Sequence, residues 1–579
     1  MASTVYFYGR AMWVAATALL SAAPALAQTV AAPSRTVPES LAPRRDGAEA
    51  KFQLPATTTL EPPAGAEKIT DSISRILVEG PGEEAADAIN AANASIAGRR
   101  VAVSDLYAVA GRIEAALIAK GLVLKRVSVP PQSLTEGGVF RIVITDGFIE
   151  TVDDTALRGP ARKAVHARLL PLVGVRGLTL AQIERHVLLA GDLPGMTLRS
   201  TLLRGETPGG VKLVVNGEWR PVSGAIAWNN DLGPAFRYSQ FTAQIGLNGV
   251  LGLGETIYAQ VATGPDFRLH SSDAVRRVLA AGVILPLGRN GLTVNPEYLH
   301  VDTNPVAAAG VIQSRGSFDR VSLHTSYPLV RRRQQTLVIT GGLEITDEKL
   351  IAPQFGVELN ADRLRVVNLG LDWDRRLGPK TRTSSHFALN RGILGFGART
   401  LADALASNVP LSRAGAIPDF TKIDGYAKFE RALPVGFIAT THFRGQAALS
   451  GPMPSSGQFS LDGNTGVSGF ATGAVNVDNG VTGRFELSRP TALNARSAML
   501  SGQAAPYVFA AYGWGSLDQP SNVESRYVDS WSFGGGVKVQ LAPKASRTSA
   551  QGGIQISRAH ANIFAADQTR VALNLNFEI

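Results

Sequence analysis

The sequence predicts a mainly β protein: a transmembrane antiparallel β-barrel of about 16 strands, preceded by two small α+β modules of β-α-α-β-β order. Three observations predict it. From Trp219 to the end, segments of about ten residues alternate apolar and polar side chains, the period of a strand with one face in lipid and one in water. Before that, one order of elements occurs twice. The chain, 579 residues with 60 Gly, 18% charged side chains and no cysteine, also opens on a short apolar leader.

Composition removes several classes. Without cysteine there is no disulfide scaffold, no zinc finger or iron–sulfur cluster and no thiol nucleophile. At 45% apolar residues the bulk of the chain is not disordered. The 57 basic and 47 acidic side chains leave a net charge of +10. No basic block is longer than Arg331-Arg332-Arg333, so no nucleic-acid partner is expected.

Residues 1–27 read as a signal peptide: Arg10 precedes the apolar run from Ala11 to Ala23, and Ala25-Leu26-Ala27 is a small-residue cleavage site. The run falls short of the roughly 18 to 20 residues that a spanning helix needs. Export to the periplasm or outer membrane of a diderm bacterium is expected. Residues 28–70 form a Pro-rich linker or plug segment, with Pro33, Pro38, Pro43, Pro55 and the pair Pro62-Pro63. Its longest helix-compatible stretch, 39–52, has Pro43 inside it.

The first module spans 71–147. A strand over 73–78 ends at Gly80, and an Ala-rich helix covers 83–96. A second helix starts from a Ser104 cap, with Leu106, Val109, Ile113 and Leu117 at helical spacing up to Gly121. Strands over 122–129 and 139–145 finish it. The second module, 148–218, repeats the order: strand 148–152, helices 161–172 and 179–189, strands 196–203 and 211–215. Each module suits a three-stranded sheet covered by two helices, with one sheet edge unpaired. Such an edge can accept an extended peptide. Gln182, Val187, Leu202 and Arg204 are the candidate contacts of the second module; core packing explains its apolar members equally well.

The barrel spans 219–579. Val367, Leu369, Leu371 and Trp373 alternate with Asn368, Gly370 and Asp372. Tight turns at 285–291 and 431–436 contrast with long polar loops at 450–463 and 515–526, the asymmetry of a membrane barrel with short turns on one rim. Val571, Leu573, Leu575, Phe577 and Ile579 share a face, so the last strand is expected to close the barrel against the first. There is no Gly-x-Ser-x-Gly, His-Glu-x-x-His, phosphate-binding loop or dinucleotide fingerprint, and the eight histidines are scattered. No catalytic residue, cofactor or metal is assigned, and an enzyme is not expected.

Several stretches carry a specific resemblance: Ile76-Leu-Val-Glu-Gly80, Val129-Pro-Pro-Gln132, Asp146-Gly-Phe-Ile149, Asn229-Asn-Asp-Leu-Gly233, Leu251-Gly-Leu-Gly-Glu255, Gly483-Arg-Phe-Glu-Leu487 and Pro506-Tyr-Val-Phe509. In this order, from about residue 70 to the end, the chain resembles the outer-membrane transporters of two-partner secretion, the haemolysin secretion/activation family. The modules resemble polypeptide-transport-associated (POTRA) domains. The resemblance implies an outer-membrane pore that recognises an unfolded exported protein through periplasmic POTRA domains and passes it to the cell surface without ATP. An assembly or insertase factor of the same superfamily is the alternative. Implied partners are a secreted client, outer-membrane lipid and the barrel-assembly machinery, with the chain acting as a monomer.

The resemblance also implies a lumen loop tipped by Val-Arg-Gly-Phe/Tyr, matched here by Val467, Ser468, Gly469 and Phe470, so the arginine is absent. Its wall partner, Phe-x-Asp-x-Gly, is matched by Phe509, Ala511 and Gly513, without the aspartate. Loss of both charges is closer to neutral than loss of one. It predicts that Ser468 and Ala511 are neighbours and that the loop is held more weakly. Phe577 and Ile579 stand where the family carries its C-terminal barrel signal. A plug helix, frequent in the family, has no clear counterpart.

Overall fold

A computed structural model of the chain describes residues 32–37, 51–53, 60–307, 310–493, 500–543 and 548–579. The leader expected over 1–27 and most of 39–52 lie outside these.

A short linker strand, β1 (Lys51–Gln53), precedes the first module. That module runs β2 (Thr70–Glu79), α1 (Ala86–Ile96), β3 (Arg100–Ala102), α2 (Val103–Ala119), β4 (Arg126–Ser128) and β5 (Gly138–Thr145). Leu106, Val109, Ile113 and Leu117 of α2 are all buried against Phe140, Ile142 and Ile144 of β5 and Ile76 of β2, so the helical period of the sequence is the core-facing stripe. The helix begins one residue before the expected Ser104 cap: Ala102 is its N-cap, and Asp105 Oδ2 accepts the Ala102 N–H at 3.4 Å.

The sheet has four strands, β3-β2-β5-β4, rather than three. The strand expected over 122–129 shortens to β4 because its first residues are used as a wedge between modules. Leu122 is buried in the first core, Val123 and Leu124 in the second.

The second module runs β6 (Phe148–Asp153), α3 (Ala161–Leu169), α4 (Leu180–Gly191), β7 (Met196–Arg204) and β8 (Gly210–Trp219). Thr179 and Gln182 form a capping box that starts α4. The sheet order is β1-β7-β8-β6, so its fourth strand comes from the linker. Lys51, Phe52 and Gln53 lie parallel to Arg199, Ser200 and Thr201 of β7. The edge expected to be unpaired is thus partly taken.

The remaining strands close on themselves. They are β9 (Val222–Asn229), β10 (Gln240–Asn248), β11 (Thr256–Thr263), β12 (Arg276–Leu287), β13 (Leu292–Thr303), β14 (Arg315–Arg331), β15 (Gln335–Ala352), β16 (Val357–Arg376) and β17 (Thr381–Gly392), then β18 (Thr421–Ala432) and β19 (Ile438–Ala448). Two short strands in the next loop, β20 (Phe459–Ser460) and β21 (Asn476–Val477), pair with each other and stay outside the barrel wall. β22 (Asn479–Ser488) and β23 (Thr491–Leu493) both pair with β24 (Leu500–Ser516) as parts of one strand. β25 (Tyr527–Pro543), β26 (Ser549–Ala561) and β27 (Gln568–Glu578) complete a closed barrel of 16 strands. β27 pairs with β9 over Asn574–Glu578, opposite Asn229–Ala225, as closure requires.

The period-two pattern sorts the faces. Val367, Leu369, Leu371 and Trp373 are exposed on the outside, while Asn368, Gly370, Asp372 and Asp374 line the lumen. Phe577 and Ile579 are also exposed. Short turns at 288–291, 332–334 and 377–380 face the modules, and the long loops 393–420, 449–478 and 517–526 stand on the opposite rim. The second module is bound to the near rim through α4. Arg331 donates from Nε and Nη2 to Asp192 at 2.8 and 2.6 Å, and Arg333 Nε lies 2.6 Å from Glu184 Oε1.

Candidate functional site in the barrel lumen

The lumen is open toward the modules. A cavity of about 1180 Å³ runs from Leu188, Leu189 and Asp192 of the second module into the barrel. Its walls include Asn368, Asp372, His386, Asn390 and Asp424. His386 Nδ1 lies 2.7 Å from Asp372, and Asn390 Nδ2 donates to Asp424 at 2.6 Å. Apolar side chains such as Leu189, Ile284, Val338, Val366 and Phe420 share this lining, so the wall is mixed.

Toward the far rim the lumen is filled. The loop 449–478 folds inward between β19 and β22, and its apolar residues Leu461, Val467, Phe470, Val475 and Val477 are buried with Ala511, Ala559 and Ala561 of the wall. Asp462 holds the loop's own fold: its carboxylate accepts the N–H groups of Gly473 at 3.0 Å and Val475 at 2.9 Å. Burial pushes this carboxyl above the ordinary range, against those two bonds. Phe470 packs on Phe564 with ring centroids 5.2 Å apart, and Arg570 Nη1 donates to its carbonyl at 2.7 Å.

The loop tip meets the wall through Arg484. This residue stands on β22 directly opposite Ala511 of β24. Its Nη1 donates to Ser468 Oγ at 2.7 Å and its Nη2 to Gln555 at 3.1 Å and Glu486 at 3.4 Å. Its guanidinium lies 3.6 Å from the centroid of the Phe509 ring, a cation–π contact strengthened by desolvation. Ser468 in turn donates to Gly463 O at 3.2 Å. The arginine missing from position 468 therefore has a counterpart on the wall. Ser468 and Ala511 border the same guanidinium. The residue was visible in Gly483-Arg-Phe-Glu-Leu487, but only the strand register brings it under the loop.

Two glycines permit the approach. Gly469 has φ +119°, and a Cβ there would stand 2.6 Å from Cβ of Ala559. At Gly513 of the wall, a Cβ would meet Val467 Cγ2 at 3.1 Å.

A second element shares this half of the lumen. Residues 33–36 form a single 3₁₀ turn rather than a longer helix. Ser34 donates from its N–H and its hydroxyl to the two oxygens of Glu348, both at 2.9 Å. Arg276 Nη2 donates to Thr36 O at 2.9 Å, and Val37 packs on buried Phe318, Leu299 and Val301. The sequence places this segment within the Pro-rich linker or plug stretch 28–70 but does not locate the turn, because six residues with one proline carry no period.

The second module places the other candidates apart from the lumen loop. Gln182 is exposed, but its amide oxygen is occupied by the Thr179 N–H and hydroxyl, each at 2.8 Å. Val187 and Leu202 are each 2% exposed and belong to the module core. Their side chains are unavailable, and Leu202 offers only its backbone on the β7 edge. Arg204 is exposed near the end of that edge. Helix α4 faces the barrel rim, and Glu184, Arg185 and Asp192 make contacts there that the sequence did not single out.

Comparison with known proteins agrees with this architecture. Residues 210–539 match the model of the haemolysin secretion/activation protein ShlB/FhaC/HecB family, and residues 72–147 match the ShlB-type POTRA domain. The outer membrane transporter CdiB of Escherichia coli O6:K15:H31 (strain 536 / UPEC) is 25% identical over 306 residues, 52% of this chain and 50% of the relative. That match thus spans about half of the relative's length. The heme/hemopexin transporter protein HuxB of Haemophilus influenzae (strain 86-028NP) is 22% identical over 72% of this chain and 71% of its own. In fold, the structure of CdiB from Escherichia coli superposes with a TM-score of 0.70 at 20% identity, covering 95% of this chain and 94% of that one. CdiB from Acinetobacter baumannii gives 0.59 at 15% identity over 88% and 90%. With more than half of its length matched by the family model, the chain belongs to the haemolysin secretion/activation protein ShlB/FhaC/HecB family.

Proposed function

We propose that this chain is an outer-membrane pore that takes an unfolded exported protein from the periplasm and passes it to the cell surface. The observation that carries the reading is one continuous path: a POTRA-type module fixed to the near rim opens into a lumen with charged and polar groups on its wall, whose far half is filled by the inward loop and the segment 33–36. The near rim is then periplasmic and the far rim external. No nucleotide drives the step; folding of the client outside makes return unfavourable.

The client enters by strand addition at the β7 edge of the second module. Residues 51–53 already sit on that edge, so the client displaces them. The linker between 37 and 51 joins this strand to the lumen segment, which puts both under one tether. Arg484 latches the loop tip through Ser468. Opening requires its guanidinium to exchange Ser468 for water or client, while Glu486 and Gln555 hold it on the wall.

The experiment is planar-bilayer recording of the refolded chain lacking the leader, with and without residues 28–218. The reading expects a conductance that survives the deletion and is larger without the lumen segment. Silence of both forms, with the barrel shown to be folded, overturns it.

A further inference from the structure

We infer that the outward face of the barrel beside the loop 393–420 binds the phosphate groups of an outer-leaflet lipid. The inference rests on the outer-membrane orientation proposed above.

Along β16 the outward positions run Arg363, Arg365, Val367, Leu369, Leu371 and Trp373 from the external rim toward the modules. They are charged at the rim and apolar below it. At this boundary the start of the loop lies down on the outer wall instead of over the pore. The Ile393 N–H donates to Arg365 O at 2.8 Å, and the Arg399 N–H to Arg363 O at 3.0 Å. Arg365 is buried beneath it, donating from Nε to Phe396 O and from Nη1 to Asp347, both at 2.8 Å. The result is an apolar tip on the lipid side: Leu394 is 60% exposed and Phe396 82%. Phe396 has φ +47°, a left-handed conformation that is costly for a bulky side chain. A ring held at that cost in contact with water gains nothing; against acyl chains it does.

Cations flank the tip. Lys349, Arg363 and Arg391 are exposed, and among the described residues none has a carboxylate within ion-pair distance. Among the described residues Arg391 donates only to the Thr421 hydroxyl. Asp347 is engaged by Arg365, and Asp403 by the N–H and hydroxyl of Thr400 at 2.9 and 2.7 Å, although Arg363 still feels the Asp403 charge beyond ion-pair distance. Cations without a carboxylate at ion-pair distance, just above a lipid-facing apolar band and beside two apolar side chains, complement a lipid with phosphates at its head and acyl chains below. The patch is continuous with the belt formed by Val367, Leu369, Phe387 and Leu389.

The test is hydrogen exchange of residues 391–399 in the full chain, reconstituted into phosphatidylcholine vesicles with and without diphosphorylated lipid A. Roughly tenfold slower exchange is expected with lipid A. The protection should vanish with dephosphorylated lipid A and in the triple variant Lys349→Gln, Arg363→Gln, Arg391→Gln. Equal exchange in all vesicles overturns the inference. Full protection in the triple variant does so too, as does protection by inorganic phosphate alone, which would mark a free-anion site. The wild-type lipid series decides the matter even if the triple variant does not fold. A folded barrel that binds lipid A but stays silent in bilayer recording would remove the transport reading and leave this one.

Discussion

The two halves of the lumen differ in how they are built. The periplasmic half is an open cavity with mixed polar and apolar walls, and its ionic contacts to the second module lie on the rim. The external half is packed like a core, with Leu461, Val467, Val475 and Val477 fully buried. Yet the apolar cluster alone does not position the loop. Its tip is fixed by one guanidinium, one hydroxyl and one glycine, and the neighbouring segment by a serine on a glutamate. Apolar burial is non-directional and keeps the loop inside; the few polar contacts set its seat. A closure of this kind is stable at rest and released by changing a handful of bonds.

If this division holds, the largest effect comes from Arg484→Ala. It removes the charge-assisted bond that holds Ser468 to the wall, while Glu486 keeps Lys538 and Gln555 keeps the Tyr507 hydroxyl, and costs the seated loop about 3 kcal/mol. Hydrogen exchange over 463–473 should accelerate accordingly, while exchange in the modules stays as it was. Gly469→Ala comes next, at about 2 kcal/mol, because the added Cβ meets Ala559 and the residue must keep a left-handed backbone. Limited proteolysis of the loop reads it, and protection equal to wild type would mean that the wall gives way easily.

Ser34→Ala removes the hydroxyl bond to Glu348, keeps the N–H bond, and should loosen the lumen segment by about 1 kcal/mol without touching the loop. Distances from a spin label at position 32 to the barrel rim would report it. Should both elements loosen together, the external half is one unit rather than two.

The smallest effect is one of pH. The raised carboxyl of Asp462 favours the protonated form in the seated loop. This contribution is fully present below the ordinary carboxylate value and is lost as pH rises through the raised one. Loop exchange should therefore slow as pH falls across that window, and Asp462→Asn should flatten the profile.

The same contrast governs what the sequence revealed. The barrel was legible because alternation over Val367–Trp373 and the loop asymmetry are periodic signals. The modules were legible in element order but not in strand count. β3 and β1 are three residues each, too short to carry a period, and β1 belongs to a linker whose pairing partner lies about 150 residues away. Leu122–Leu124 look like a strand by composition and serve as a wedge between two cores.

At the loop, the motif positions Val467–Phe470 and Phe509–Gly513 were found. The compensating arginine was not, because its meaning depends on the β22–β24 register. Val187 on helix α4 and Leu202 on the β7 edge show the opposite limit: apolar residues at a candidate contact are core residues unless the periodicity says otherwise.

The most direct test is the bilayer conductance of the full chain, side by side with Arg484→Ala. The account predicts rare, small openings in the wild type, and openings several-fold more frequent or larger in the variant, with the same ion selectivity because the cavity walls are unchanged. Identical traces from two folded barrels would contradict it, since the external half would then not be governed by the contact between Arg484 and Ser468.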